Sequence, residues 1–191
     1  MDINAFEINF SDVEIQNVKT KVASFPWHEM PKDGGWSFGT NIDYMKNLAD
    51  YWTHEYDWRS QEVRLNQFPN YKTKVDDLDI HFIIKKSSSP KAIPLILIHG
   101  WPGSIVEFLE IIDPLCEPEK YGNDNEVCFD IIAPSIPGFA FSGKPKNPIG
   151  PRRIADIFNK LMTENLGYEK YFAQGGDWGS AISTWLGFDH S

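Results

Sequence analysis

The chain has 191 residues, 41% of them apolar and 14% aromatic, with seven tryptophans. That is enough to close one domain around a real core, and it excludes a disordered chain. A net charge of −9 with no cluster of Lys or Arg excludes a nucleic-acid face, which would set basic side chains against phosphates.

The N-terminal stretch MDINAFEINFSDVE has neither a basic nor an apolar run, so no leader is read there. The longest apolar run, IPLILI, is far too short to cross a bilayer. The expected location is therefore cytoplasmic, and Asn9-Phe10-Ser11 is taken as an accidental sequon. Ser11 is placed to cap a helix whose Ile15, Val18, Val22 and Phe25 fall near helical spacing. PWHEMPKDGGWSFG then breaks it with Pro and Gly. Met45, Leu48, Ala49, Trp52 and Tyr56 resume the spacing as a second helix.

After Pro69, TKVDDLDIHFIIKK reads as two strands around an Asp-Asp turn. KKSSSPKA, residues 85–92, is short enough for a strand connection. PLILIHG then suits a strand buried on both faces. A helix follows with Ile105, Phe108, Leu109 and Ile112 on one face, then a strand in VCFDIIAP and a Pro/Gly-rich loop. Ile154, Ile157, Phe158 and Leu161 mark the inner face of the next helix, which Gly167 stops. YEKYFAQGG gives a last strand and SAISTWLGF a last helix. This alternation predicts an α/β fold with a mostly parallel sheet flanked by helices. Cys116 and Cys128 sit in no CxxC or metal-ligand spacing and are expected as reduced thiols, with a bridge between them left open.

Gly175-Gly176-Asp177-Trp178-Gly179 lies where the last strand turns into the last helix. In the α/β-hydrolase elbow the nucleophile occupies such a turn, with small residues two before and two after it. Gly175 and Gly179 fill those places and Asp177 the nucleophile position. A carboxylate is ionised at neutral pH and needs no base to activate it. It suits attack at an sp3 carbon, giving an ester that a His-activated water would hydrolyse. For Asp177 alone, a plain helix N-cap is the alternative.

His99-Gly100-Trp101-Pro102-Gly103 ends the first buried strand, where this fold supplies the second oxyanion amide. The donors would be the backbone N–H groups of Trp101 and Trp178. His99 itself is read as hydrogen-bonded inside its turn, because it precedes the nucleophile and the catalytic histidine of this fold comes last.

These residues make the sequence resemble the epoxide hydrolases of the microsomal and juvenile-hormone type. WSFGT at 36–40, YW at 51–52, YDWRSQEVRLNQFPNY at 56–71 and IHF at 80–82 carry that likeness in the first part. HGWPGS, PSIPGFAFS and GGDWGS carry it in the second. The implied domains are an N-terminal helical segment over 1–70 and the first part of an α/β-hydrolase domain over 71–191. The resemblance implies addition of water to a small apolar epoxide through an Asp177 ester, giving a diol, with no metal or organic cofactor. Trp36 and Trp58 are expected to pack rather than line the substrate pocket.

The family's lid, acid partner and general-base histidine would come after Ser191, so the 191-residue chain alone is expected to be inactive. His190 is taken as a surface residue at a helix end. The strand around Tyr171–Gln174 would keep an unpaired apolar edge. The chain is thus expected to fold poorly, to self-associate through that edge, or to need a second polypeptide. The alternatives are a haloalkane dehalogenase-like hydrolase and a non-catalytic binder of apolar ligands.

Overall fold

The structure, a computed structural model, describes residues 2–29, 35–123 and 127–191. Residues 30–34, within the expected Pro/Gly break, lie outside the described residues. The chain forms two compact units, Ile8–Arg64 and Met1–Glu7 with Leu65–Ser191.

The first unit carries α1 (Asp12–Ala23), α2 (Ile42–His54) and the start of α3 (Trp58–Asn66). Ser11 caps α1: its Oγ accepts the Glu14 N–H at 3.3 Å, and the Glu14 carboxylate accepts the Ser11 N–H at 2.8 Å. This reciprocal pair satisfies two amides that the helix leaves without partners. Asn41 does the same for α2, accepting from Asp43 and Tyr44 at 2.9 and 3.0 Å. α2 stops at His54, so Tyr56 lies beyond the helix that its spacing suggested. Phe25 likewise lies past the end of α1, its ring 4.8 Å from Trp27. Neither α1 nor α2 has a fully buried residue. Arg59 ties this unit together by bonding to Asp12, to Glu62 and, at 2.8 Å, to the Phe10 carbonyl.

The second unit is built on one sheet of β1 (Ile3–Ala5), β2 (Asn70–Val75), β3 (Leu78–Lys85), β4 (Ile93–Ile98), β5 (Phe129–Pro134) and β6 (Phe172–Gly175). Their order is β1-β2-β3-β5-β4-β6. β2 and β3 form the expected hairpin, with Val75 opposite Leu78 and a two-residue Asp76-Asp77 turn. Asp76 takes the left-handed conformation (φ 53°), and its carboxylate accepts from Arg153 at 2.6 Å and Lys160 at 2.7 Å. The fold is α/β, but the sheet is mixed rather than mostly parallel. β1, β2, β3 and β5 pair antiparallel, and only β5, β4 and β6 run parallel. Parallel pairing needs a crossover helix, and only the last three strands are joined by one: α4 (Leu109–Cys116) and α5 (Pro151–Lys160).

Alternate residues of β4 and β5 face opposite sides. Ile96, Ile98 and Ile132 join a core with Ile154, Ile157 and Phe158 of α5 and Ile182 and Leu186 of α6 (Trp178–Asp189). Leu95, Leu97 and Ile131 are buried on the other face, where a short 3₁₀ turn (Ile105–Phe108) leads into α4. The face Ile105, Phe108, Leu109 and Ile112 is buried throughout. Cys116 and Cys128 are buried free thiols, and burial pushes the Cys116 thiol up to about 12. β6 ends the sheet; among the described residues nothing pairs with its outer edge, and Phe172 is 62% exposed. The chain leaves β4 toward β5 on one side and returns as β6 on the other. The carboxyl ends of β4 and β6 therefore flank a switch point, the place where open α/β sheets form clefts. No helix among the described residues is long and apolar enough to cross a membrane.

Candidate active site

The turn after β4 is fixed by its histidine. His99 is fully buried. Its Nε2 accepts the Ile136 N–H at 3.0 Å, so the proton sits on Nδ1, which donates to the Gly100 carbonyl at 2.9 Å. Burial holds the ring below its ordinary pKa, against the opposing pull of the Gly100 carbonyl. His99 is a neutral clamp: one bond stays inside its own turn, as expected, and the other reaches the loop after β5.

The turn after β6 meets it. A side chain on Gly179 would stand 2.0 Å from the Ile98 carbonyl oxygen, and one on Gly175 would stand 2.4 Å from the backbone of Gly179. Both lie far inside van der Waals contact, so these glycines let strand and helix close on each other. A Cβ on Gly100 would lie 2.7 Å from the Asp177 Cβ, so the two turns touch at the carboxylate. A Cβ on Gly103 would collide with the Glu107 carboxylate. Gly176 has open space around it, and Pro102 is exposed after a cis Trp101–Pro102 bond; neither bears on the contact.

Asp177 stands at the N-cap position of α6 but does not act as a cap. An N-cap side chain accepts from the second or third helical amide, and this one makes no such bond. Its backbone takes φ 52° and ψ −122°, a conformation that costs a non-glycine residue free energy. Oδ1 instead accepts the Trp101 N–H at 2.7 Å, across 76 residues of sequence. The Trp101 amide first, and the Trp178 amide second, hold the carboxyl below its ordinary pKa. The result is an exposed, ionised carboxylate gripped by two main-chain donors. Such a carboxylate is chemically able to attack an electrophilic carbon, with main-chain donors beside the oxygen on which charge would later develop.

Beside it lies an apolar cleft of about 390 Å³ that the sequence did not reveal. Trp101, Trp178, Phe139, Pro145, Ile149 and Ile154 are among the residues that line it. The linings come from segments far apart in sequence, and only the chain reversal at β4 brings them together. A larger cleft, about 750 Å³, lies within the helical unit against Leu48, Tyr51, Trp52 and Trp58. Asp177, Trp101 and Trp178 do not line it. Trp58 packs on Phe10 and Trp36 on Tyr44, at 5.4 and 5.3 Å; neither lines the cleft beside Asp177. His190 ends α6 and bonds to Asp156 at 2.9 Å.

Residues 3–108 match the family described as "Epoxide hydrolase N terminus", and residues 93–190 match "alpha/beta hydrolase fold". The chain is 40% identical over 185 residues to a putative epoxide hydrolase of Stigmatella aurantiaca, covering 96% of this chain and 42% of that protein. It is 40% identical over 187 residues to epoxide hydrolase 1 of Sus scrofa, covering 95% and 41%. The crystal structure of juvenile hormone epoxide hydrolase from Bombyx mori superposes with a TM-score of 0.88 at 37% identity, over 97% of this chain and 44% of that one. The chain thus spans about two fifths of the length of the curated relatives it matches.

Proposed function

Because the chain belongs to the epoxide hydrolase family of α/β hydrolases, we propose that it carries the nucleophilic half of a site that opens apolar epoxides. Asp177 is the nucleophile, and the Trp101 and Trp178 amides are the oxyanion donors. The 2.7 Å bond from the Trp101 N–H to Asp177 Oδ1 carries this reading. The match of residues 3–108 to the epoxide hydrolase N terminus favours it over a haloalkane dehalogenase.

The oxygen not held by Trp101 attacks an oxirane carbon. The ring C–O bond breaks, its electron pair passes to the ring oxygen, and that oxygen takes a proton from water or a neighbouring acid. A hydroxyalkyl ester of Asp177 results. Water then adds to the ester carbonyl carbon and gives its proton to a base. Negative charge grows on Oδ1, which the Trp101 amide already holds, with the Trp178 amide also beside the carboxylate. Collapse expels the diol oxygen, which takes up a proton, and the carboxylate is restored. His99 is not the base, since both its ring nitrogens are engaged and buried. The first step asks only for Asp177, so that step is the one to test.

The chain is incubated with a terminal alkyl oxirane, quenched in acid, digested and weighed. One oxirane mass on the peptide holding Asp177 is expected. The Asp177→Ala variant should label at least about a thousandfold more slowly. Diol release that vanishes in the same variant would support the same reading. Equal labelling of both proteins, or none at Asp177, would overturn it.

A further inference from the structure

We propose that Ser142 is a positioning residue for Asp177. It heads a chain of hydrogen bonds, all running in one direction, that ends in the Trp101 N–H and strengthens that amide as a donor to the carboxylate. For its catalytic consequence the inference rests on Asp177 being the nucleophile; the chain itself rests on geometry.

The direction of each link is fixed. The His81 N–H donates to Ser142 Oγ at 3.0 Å, and that Oγ lies 2.7 Å from the Ser135 carbonyl oxygen. A carbonyl cannot donate, so the single hydroxyl proton of Ser142 lies on the second bond. The peptide group that holds this carbonyl also carries the Ile136 N–H, which donates to His99 Nε2 at 3.0 Å. The ring proton is therefore on Nδ1 and goes to the Gly100 carbonyl at 2.9 Å. The Gly100 carbonyl and the Trp101 N–H again belong to one peptide group, and that N–H reaches Asp177 Oδ1 at 2.7 Å. The chain thus runs through two peptide groups and one imidazole, and each of them is entered as an acceptor and left as a donor.

Groups linked in this way polarise one another. A peptide whose oxygen accepts a hydrogen bond shifts electrons toward that oxygen, and its N–H becomes a stronger donor. The effect is greatest where water does not compete, and Ser135, Ile136, His99 and Ser142 are all buried. The chain thereby brings partial positive charge to Asp177 without a formal charge. In the proposed reaction the oxygen held by Trp101 becomes negative as water adds to the ester, so a stronger donor there favours that step. The Ser135 hydroxyl lies off the chain. Asn70 Nδ2 donates to the Leu65 and Phe68 carbonyls, so its Oδ1 accepts from His81 Nε2, and the Ser135 hydroxyl donates to His81 Nδ1 at 2.9 Å.

The test is an NMR titration of the Asp177 carboxyl carbon in the full chain, read together with the Trp101 amide proton. Ser142→Ala removes the first donor. The carboxyl should become about twofold less acidic and the Trp101 proton should move upfield, as the loss of cooperative strengthening implies. The Trp178 amide, which the chain does not reach, should move less. Ser142→Thr keeps the hydroxyl and should restore both signals. Ser142→Cys, a weaker donor of similar shape, should give smaller changes of the same sense and serves if the alanine variant does not fold. Ser135→Ala disturbs the same loop but spares the chain, and should leave both signals in place. If Ser142→Ala and Ser142→Cys leave the signals unmoved, the inference falls. It falls equally if Ser135→Ala moves them as far as Ser142→Ala, since loosening of the loop would then be the whole effect. The titration does not require Asp177 to react. Signals that move as expected, with no oxirane label on Asp177, would uphold the chain and remove the nucleophile.

Discussion

The two compact units of this chain are held by different physics. In the sheet unit, Ile80–Ile83 of β3, Leu95–Ile98 of β4 and Ile131–Pro134 of β5 are buried, and Phe82, Ile96, Ile132 and Phe158 are closed off from solvent. In the helical unit, α1 and α2 bury no residue completely. Beside aromatic contacts such as Phe10–Trp58, it is fastened by polar groups: the Ser11–Glu14 exchange, the Asn41 cap, and Arg59 with Asp12 and Glu62. Both units announced themselves by apolar periodicity. Periodicity says which face of an element is apolar; it does not say whether anything covers that face.

The largest effect that tests this contrast is a pair of truncations. Phe158→Ala removes a fully buried ring from the core between α5 and the sheet and should cost about 3–5 kcal/mol. Leu48→Ala, on the apolar stripe of α2 but 42% exposed, should cost less than about 1 kcal/mol. Urea melts of the two variants give the comparison directly. Equal losses would mean that the α2 stripe is as well packed as the sheet, and the contrast would be gone.

A second test uses acid. His81 is fully buried, with Nε2 3.0 Å from Asn70 Oδ1 and Nδ1 2.9 Å from Ser135 Oγ. Burial, and to a lesser degree the charge of Lys72, lowers its pKa to about 3. The unfolded chain would protonate near 6.5. Between these values the unfolded state binds a proton that the folded state refuses, so stability must fall as pH drops through that window. The slope from this residue approaches about 1.4 kcal/mol per pH unit well below pH 6.5. His99 contributes in the same direction. Melts at pH 7, 6 and 5 should show sheet-unit stability declining while most carboxylates are still ionised. An imidazole NMR titration that put His81 near 6.5 would refute the argument.

Much of the sheet unit was open to sequence reading because its signals are local. The Asp-Asp turn, the isoleucine-rich strands and the glycines flanking Asp177 each lie within a few residues. What escaped was non-local or weak. β1 is three residues long and joins the sheet only by pairing with β2, with nothing in INA to mark it. α3, WRSQEVRLN, has too few apolar residues for a helical stripe to show. The pairing of β3 with β5 rather than with its sequence neighbour β4 is a choice between partners about 50 residues apart, which no local signal records. At the site, the glycine spacing pointed to Asp177. That its carboxylate ignores the helix cap and bonds to Trp101 instead is visible only once the two turns are in space. The cleft escaped for the same reason, since nothing in a Pro/Gly-rich loop marks Phe139 and Ile149 as lining it.

The smallest expected effect separates the units most cleanly. Ser11→Ala removes both the acceptor for the Glu14 amide and the hydroxyl that donates to the Glu14 carboxylate at 2.7 Å. Loss of such a cap typically costs about 1 kcal/mol. Because α1 has no buried residue to hold it otherwise, that loss should appear as faster hydrogen exchange along α1. The amides of β3, β4 and β5 should keep their protection, since no hydrogen bond of that sheet depends on Ser11. If protection fell equally in both places, the helical unit would be part of the same cooperative block as the sheet. Caps would then be as important to the whole chain as its core, and the division of labour between end-fastened helices and a packed sheet would have to be given up.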